Sequence, residues 1–136
     1  MATQQDVRRI ALSLDGTSED PESFRFYVGE RQFLWLWQER VDPKKARVPN
    51  PGVIAVRVAD DIRKRMRLAM DPRVFFTEPH YDGYDAVLVR LAAIGRETLR
   101  EVITESWEVM RSGSRAPRRR PAAGGQRGRQ PRRPRA

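Results

Sequence analysis

Residues 24–37 read FRFYVGERQFLWLW. Phe24, Phe26 and Val28 alternate with Arg25 and Tyr27, the period of a strand that buries one face. Gly29-Glu30 follows as a two-residue turn with glycine first, as a type II′ hairpin requires, and the return strand runs from Gln32 to Trp37. That strand is apolar on both faces, with Phe33, Trp35 and Trp37 expected to point one way and Leu34 and Leu36 the other. It belongs at the centre of a sheet or at an interface.

Working outward, Thr3 with Asp6 three residues on predicts a capping box, and Val7, Ile10, Ala11 and Leu14 make one helix face before Asp15-Gly16 stops it. After the hairpin, QERVDPKKARVPNPG (38–52) reads as a long Pro-rich, basic loop leading into the alternating strand Val53 to Val58. Asp60 and Asp61 open a second helix by placing negative charge at its positive end, and Asp71-Pro72 closes it. Its inner stripe is expected to be Ile62, Met66 and Ala69, with Arg63, Lys64 and Arg67 on the outer side. A strand from Ala86 to Leu91 precedes a last helix in which Leu99, Val102, Ile103, Ser106 and Met110 keep the 3.6-residue period to about Arg111. This order predicts an α+β fold, a mostly antiparallel sheet with helices packed on one face.

The length of 136 residues fits one domain, and the charge is divided along it. From Ser112 onward no aliphatic residue exceeds alanine and no aromatic occurs, so nothing there can be buried to advantage. This stretch holds nine of the 27 basic residues and none of the 18 acidic ones, so residues 1–111 are formally neutral and the net charge of +9 belongs to 112–136. We therefore expect a domain over 1–111 and a disordered Arg/Pro/Gly-rich tail over 112–136. There is no cysteine, which excludes disulfides and thiolate chemistry, and a single histidine excludes two-histidine zinc motifs. No signal-peptide core and no apolar run of about 20 residues is present, so a cytoplasmic location away from membranes is expected. Arginine outnumbers lysine 24 to three, a bias that a GC-rich genome also produces.

The segment TEPHYDGYDAVLVRL (77–91) gathers the residues best suited to chemistry. His80, Asp82 and Asp85 have metal-ligand chemistry but a spacing too local to be specific. Pro79 and Asp82-Gly83 are turn formers, and Tyr81 and Tyr84 would cover the sheet edge with their hydroxyls in water, so a structural turn is favoured over a ligand or partner contact by His80, Tyr81 and Tyr84. No nucleophile, Walker or dinucleotide signature occurs, and we expect no enzyme, no catalytic residue and no cofactor. Trp35, Trp37, Phe33, Phe24 and Phe26 read as core before they read as a base-stacking platform. Lys44, Lys45 and Arg47, with Arg57, Arg63, Lys64 and Arg67, are candidates for phosphate contacts. The stronger electrostatic feature is the tail, where Arg115, Arg118, Arg119, Arg120, Arg127, Arg129, Arg132, Arg133 and Arg135 offer bidentate forks to phosphate oxygens without reading base sequence.

The strings VRRIALSLDGTSED, FRFYVGERQFLWL, VIAVRVADDIRKRMRLAMDPRVFFTEPHYDGYDAVLVRL and RETLREVITESWEVM together closely resemble the MmcQ/YjbR family over about residues 3 to 112. The most specific part is Asp71 to Leu91. The resemblance implies a frataxin-like α+β fold with a double-wing arrangement and a DNA-binding role. The better-known branch has Asn-Lys-x-His-Trp where this chain has Tyr81, Asp82, Gly83 and Tyr84, so the positive charge expected there is missing and no nucleic-acid surface is carried over from that motif. The resemblance implies no catalytic residue. The expected partner is nucleic acid, bound without sequence preference, and the alternative is a protein partner, a homodimer or a small ligand.

Overall fold

A computed structural model describes residues 1–112, so the expectation of a disordered tail lies, beyond Ser112, outside the described residues. Helix α1 spans Gln4–Leu12, and its start is the capping box foreseen: the Asp6 N–H donates to Thr3 Oγ1 (3.1 Å) and the Thr3 N–H donates to Asp6 Oδ2 (3.0 Å). Strands β1 (Thr17–Glu19), β2 (Arg25–Val28), β3 (Arg31–Glu39) and β4 (Val48–Arg57) follow, then α2 (Asp61–Met70), β5 (Phe75–Phe76), a 3-10 turn at Pro79–Tyr81, β6 (Ala86–Arg90) and α3 (Arg96–Ser112). All strand pairs are antiparallel, in the order β1-β2-β3-β4-β6-β5. The α+β class is as expected.

The β2–β3 hairpin turns at Gly29, whose φ of 61° suits a residue without a Cβ, and Val28 pairs with Arg31 across it. Two strands were not foreseen. Both β1 and β5 are edge strands of three and two residues, too short to show a period of their own. The stretch 38–52 also proved less open than expected, because β3 continues to Glu39 and β4 begins at Val48, leaving 40–47 as the hairpin tip.

The expected alternation of β3 fails at Phe33. Phe26 pairs with Leu34 but Tyr27 pairs with Gln32, so Phe33 is the extra residue of a bulge. It is thereby turned to the same side as Leu34 and Leu36, into the main core that α1 and α3 cover with Val7, Ile10, Leu99, Val102 and Ile103. Trp35 and Trp37 remain on the opposite side, where a second, smaller cluster joins Val53, Ala55, Phe76, Tyr81, Ala86 and Leu88. Ser106, buried within the last helix, satisfies its hydroxyl by donating to the Phe33 carbonyl (3.1 Å).

The face of α2 is the reverse of that expected. Ile62, Met66 and Met70 are 68%, 54% and 54% exposed and Ala69 also faces water, while Lys64 is buried at 5%. Arg63 and Arg67 turn toward α3, where both pair with Glu105 (Arg63 Nε to Oε2, 2.8 Å). Leu68 is the residue of α2 that packs against the main core.

Candidate functional site

The chemistry-rich segment forms a strap. Between β5 and β6, residues 77–85 cross the sheet face opposite α1 and α3 and close over the small cluster around Trp35. Glu78 caps the 3-10 turn by accepting from the His80 N–H (2.8 Å), and Gly83 has φ of 76°, where a side chain would be strained. The sequence motif therefore does what turn residues do, and it also delivers Tyr81 into the cluster.

Tyr81 is 4% exposed, which corrects the expectation that its hydroxyl is wet: Trp35 Nε1–H donates to the Tyr81 hydroxyl oxygen at 3.2 Å. Burial holds the Tyr81 phenol above the ordinary tyrosine range despite that bond. Tyr84 is the solvent-facing partner at 38% exposure, its ring 5.8 Å from Tyr81 and 6.3 Å from Trp35. The Arg57 guanidinium lies over both Trp35 (5.3 Å) and Tyr84 (4.9 Å) and its Nε–H donates to the Gln32 carbonyl. At the other end of the strap, Trp37 Nε1–H donates to Glu78 Oε2 (3.1 Å) and Arg47 approaches the same carboxylate at 3.7 Å. Burial pushes Glu78 up, but the bonds from the His80 N–H and the Trp37 indole outweigh it and hold the carboxyl below its usual range.

Lys64 ties this strap to α2. Its Nζ donates to the carbonyls of Tyr81 (2.5 Å) and Tyr84 (2.9 Å), so a helix residue satisfies two main-chain acceptors of a loop. Burial depresses the Lys64 ammonium from the ordinary lysine range, and Asp82, Asp85 and Asp61 only partly restore it. Asp85 moves the other way: desolvation raises its carboxyl, aided by Asp60 and Asp61, against the pull of Arg57 and Lys64.

The structure thus brings Arg57, Lys64, His80, Tyr81 and Tyr84 together, with His80 exposed on the outside of the turn. It places Arg63 and Arg67 with Glu105 and engages Arg47 at Gln38 and Glu78. Lys44 and Lys45 stand exposed at the β3–β4 tip, with no side-chain hydrogen bond or ion pair among the described residues. That tip is held in shape from inside, since Arg40 donates to the Lys45 carbonyl (2.8 Å). The nine tail arginines lie outside the described residues. Neither Glu78 nor Glu105 is singled out by the sequence pattern, and Asp85 is weighed there only beside His80 and Asp82 as a metal ligand. Glu78 stands three residues before Tyr81 and Asp85 directly follows Tyr84, whereas nothing local marks Glu105.

Among the described residues, no group of three or more histidines and acids is placed to hold a metal ion, and no helix is long and apolar enough to cross a membrane. A cleft of about 210 Å³ between α1 and α3 is lined by Asp6, Arg9, Ile10, Arg96, Glu97 and Arg100. Its buried carboxylate, Asp6, already accepts from Arg9 (3.1 Å) and Arg96 (3.4 Å), so the cleft is an ion-pair seam.

Comparison with known proteins bears on this geometry as a whole. The YjbR family model matches residues 12–109, which contain every strand, the strap and all of α2. The chain is 41% identical over 114 residues to uncharacterized protein Rv2570 of Mycobacterium tuberculosis strain H37Rv, covering 79% of this chain and 87% of that one. The same figures hold for uncharacterized protein MT2646 of M. tuberculosis strain CDC 1551 and uncharacterized protein Mb2600 of Mycobacterium bovis. No solved structure matches.

Proposed function

This chain belongs to the YjbR family, and from that premise we propose that it is a non-catalytic, cytoplasmic nucleic-acid-associating protein whose attraction to phosphate comes from residues 115–135. The observation that carries this proposal is the division of charge. The 18 basic residues before Ser112 are matched by 18 acidic ones, and the nine arginines beyond it have no acid among them. Within the folded domain, eight of the 18 cations, Arg8, Arg9, Arg47, Arg63, Arg65, Arg67, Arg73 and Arg96, are paired with its own carboxylates. Among the cations it leaves exposed are the adjacent Lys44 and Lys45 at the β3–β4 tip. Such contacts neutralise phosphates and position the protein without reading bases.

The test is a titration of labelled duplex DNA with the full chain and with a chain ending at Arg111, over a salt series. If about half the tail arginines neutralise phosphates, log K falls against log salt with a slope near −4 for the full chain. The shortened chain should bind at least about tenfold more weakly at low salt. Equal binding by the two would remove the tail from the proposal, and no binding by either would remove nucleic acid.

A second role, protein binding without nucleic acid, is favoured by one feature, the water-facing stripe of Ile62, Met66 and Met70. Sedimentation of the chain ending at Arg111 separates it: self-association there supports a protein interface, and a monomer at all concentrations counts against a homodimer.

A further inference from the structure

The strap and the cluster beneath it differ from the rest of the domain in how they are held. The strands of the sheet are joined by main-chain pairing, and α1 and α3 are joined to it through the main core. Over 77–84, by contrast, the main-chain bonds are local: Tyr81 N–H to Glu78 O (2.8 Å), Asp82 N–H to Pro79 O (3.2 Å), Tyr84 N–H to Tyr81 O (3.1 Å) and, from the start of β6, Ala86 N–H to Tyr84 O (2.8 Å). Its attachments to other elements are made by side chains, Lys64 to two carbonyls, Trp35 to the Tyr81 hydroxyl, and Trp37 and Arg47 to Glu78. The first long-range main-chain bond is at the far hinge, where the Val58 N–H donates to the Asp85 carbonyl (3.0 Å).

What the strap covers has the make-up of a pocket. Ala55 and Ala86 are fully buried, and their small side chains leave room in the cluster that Tyr81 shares with Trp35, Val53 and Leu88. Within it the Trp35 indole N–H donates to the phenol oxygen. An apolar hollow with a single placed donor is how small aromatic ligands are bound. Tyr81 acts there as an internal stand-in, and its chemistry defines what else would fit.

We propose that the 77–85 strap is a lid, and that the hollow its Tyr81 occupies is a binding site for a small planar phenol or heteroaromatic molecule with one acceptor for the Trp35 indole. Two further observations favour opening. Thr77, at the near hinge, buries a hydroxyl with no hydrogen-bond partner among the described residues, and opening would let water serve as one. Gly83, in the left-handed region, gives the far half of the strap a residue that changes conformation without a Cβ clash. Because the closed form excludes the ligand, apparent affinity is weakened by the fraction of molecules that are open. A ligand that binds the open form shifts the population toward it. This inference stands whether or not the tail binds nucleic acid.

The test is amide hydrogen exchange on the full chain, with p-cresol at millimolar concentration as the probe. The Tyr81, Asp82 and Tyr84 amides should exchange at least about tenfold faster than those of β4 and β6. p-Cresol should accelerate the strap further and leave β4 and β6 unchanged. Strap amides that exchange at the rate of the sheet, or that ignore p-cresol, would overturn the lid. A second arm addresses the hollow directly, through Tyr81→Ala: p-cresol should raise its melting temperature more than toluene does, because toluene has no acceptor for Trp35. A folded Tyr81→Ala protein stabilised by neither, or equally by both, would overturn the site as drawn. If that variant fails to fold, exchange on the unaltered chain decides.

Discussion

Helices α2 and α3 both carry apolar residues at helical spacing, and only α3 turns that stripe to the protein. In α3 the stripe of Leu99, Val102 and Ile103 is buried against the sheet, as its period requires. In α2 the equivalent stripe of Ile62, Met66 and Met70 lies in water, and the positions between, Lys64 and Leu68, lie inside. The difference comes from what each helix meets. Beneath α3 is a surface from β2, β3 and β4 that is largely apolar, with the Phe33 carbonyl met by Ser106. α2 sits by the β5–β6 edge, where it faces two loop carbonyls and the Glu105 carboxylate, and cations satisfy those better than methyl groups do. An apolar stripe therefore sets a helix's inward face where the surface below it is mostly apolar, and yields to cations where carbonyls and a carboxylate face the helix.

The most direct way to break this comparison is Lys64→Met, which gives α2 an apolar inner residue of similar length. Two buried carbonyls then lose a charged donor, and we expect a loss of about 2–3 kcal/mol in urea unfolding at neutral pH. The variant also has a pH signature. Burial holds the folded-state Lys64 below the ordinary lysine value of about 10.4. In the alkaline window just below that value the unfolded chain then binds more protons than the folded one. Stability contributed by this group must rise with pH across the window and level off above it. The difference between the parent chain and Lys64→Met should therefore widen as pH climbs toward 10.4. A gap that stays flat would mean that the ammonium is not desolvated.

Much of the fold was legible because local rules and tertiary packing agree over α1, the β2–β3 hairpin, β6 and α3. The exceptions share a physical cause. β1 and β5 exist through pairing with β2 and β6, and strands of three and two residues have no period to read. Phe33 follows its bulge and not its parity. The burial of Lys64 depends on carbonyls 17 and 20 residues further on, and that of Arg63 and Arg67 on a carboxylate in another helix. At the candidate site, the turn chemistry of 77–85 was plain from Pro79 and Asp82-Gly83, whereas the bond from Trp35 to Tyr81 joins residues 46 apart and leaves no trace in either neighbourhood.

A smaller effect is expected at the second polar contact of α2. In Glu105→Gln the guanidinium groups of Arg63 and Arg67 keep a neutral acceptor in place of a charged one, and we expect about 1 kcal/mol of destabilisation at neutral pH. Burial raises the Glu105 carboxyl, but the bonds and charges of the two arginines outweigh it and leave the folded-state pKa depressed. Its contribution is thus present above the unfolded value of about 4.3 and is lost as pH falls through the folded value. The parent chain and Glu105→Gln should converge in stability in acid and separate near neutrality, a crossing that unfolding curves at two pH values would show.

The least effect, and the sharpest statement about orientation, belongs to Met66→Ser. A methionine that faced the core would cost several kcal/mol on replacement by a small polar residue, through the lost burial and the cavity left behind. At 54% exposure in the middle of α2 it should cost no more than about 0.5 kcal/mol, most of it helix propensity. The same change removes the centre of the Ile62–Met66–Met70 stripe, so the oligomeric state of the chain ending at Arg111 is measured alongside. A Met66→Ser protein destabilised by more than about 1 kcal/mol at concentrations where it is monomeric would mean that α2 buries its apolar stripe after all. Lys64 would then have to face water, and the ties it makes to the strap could not hold.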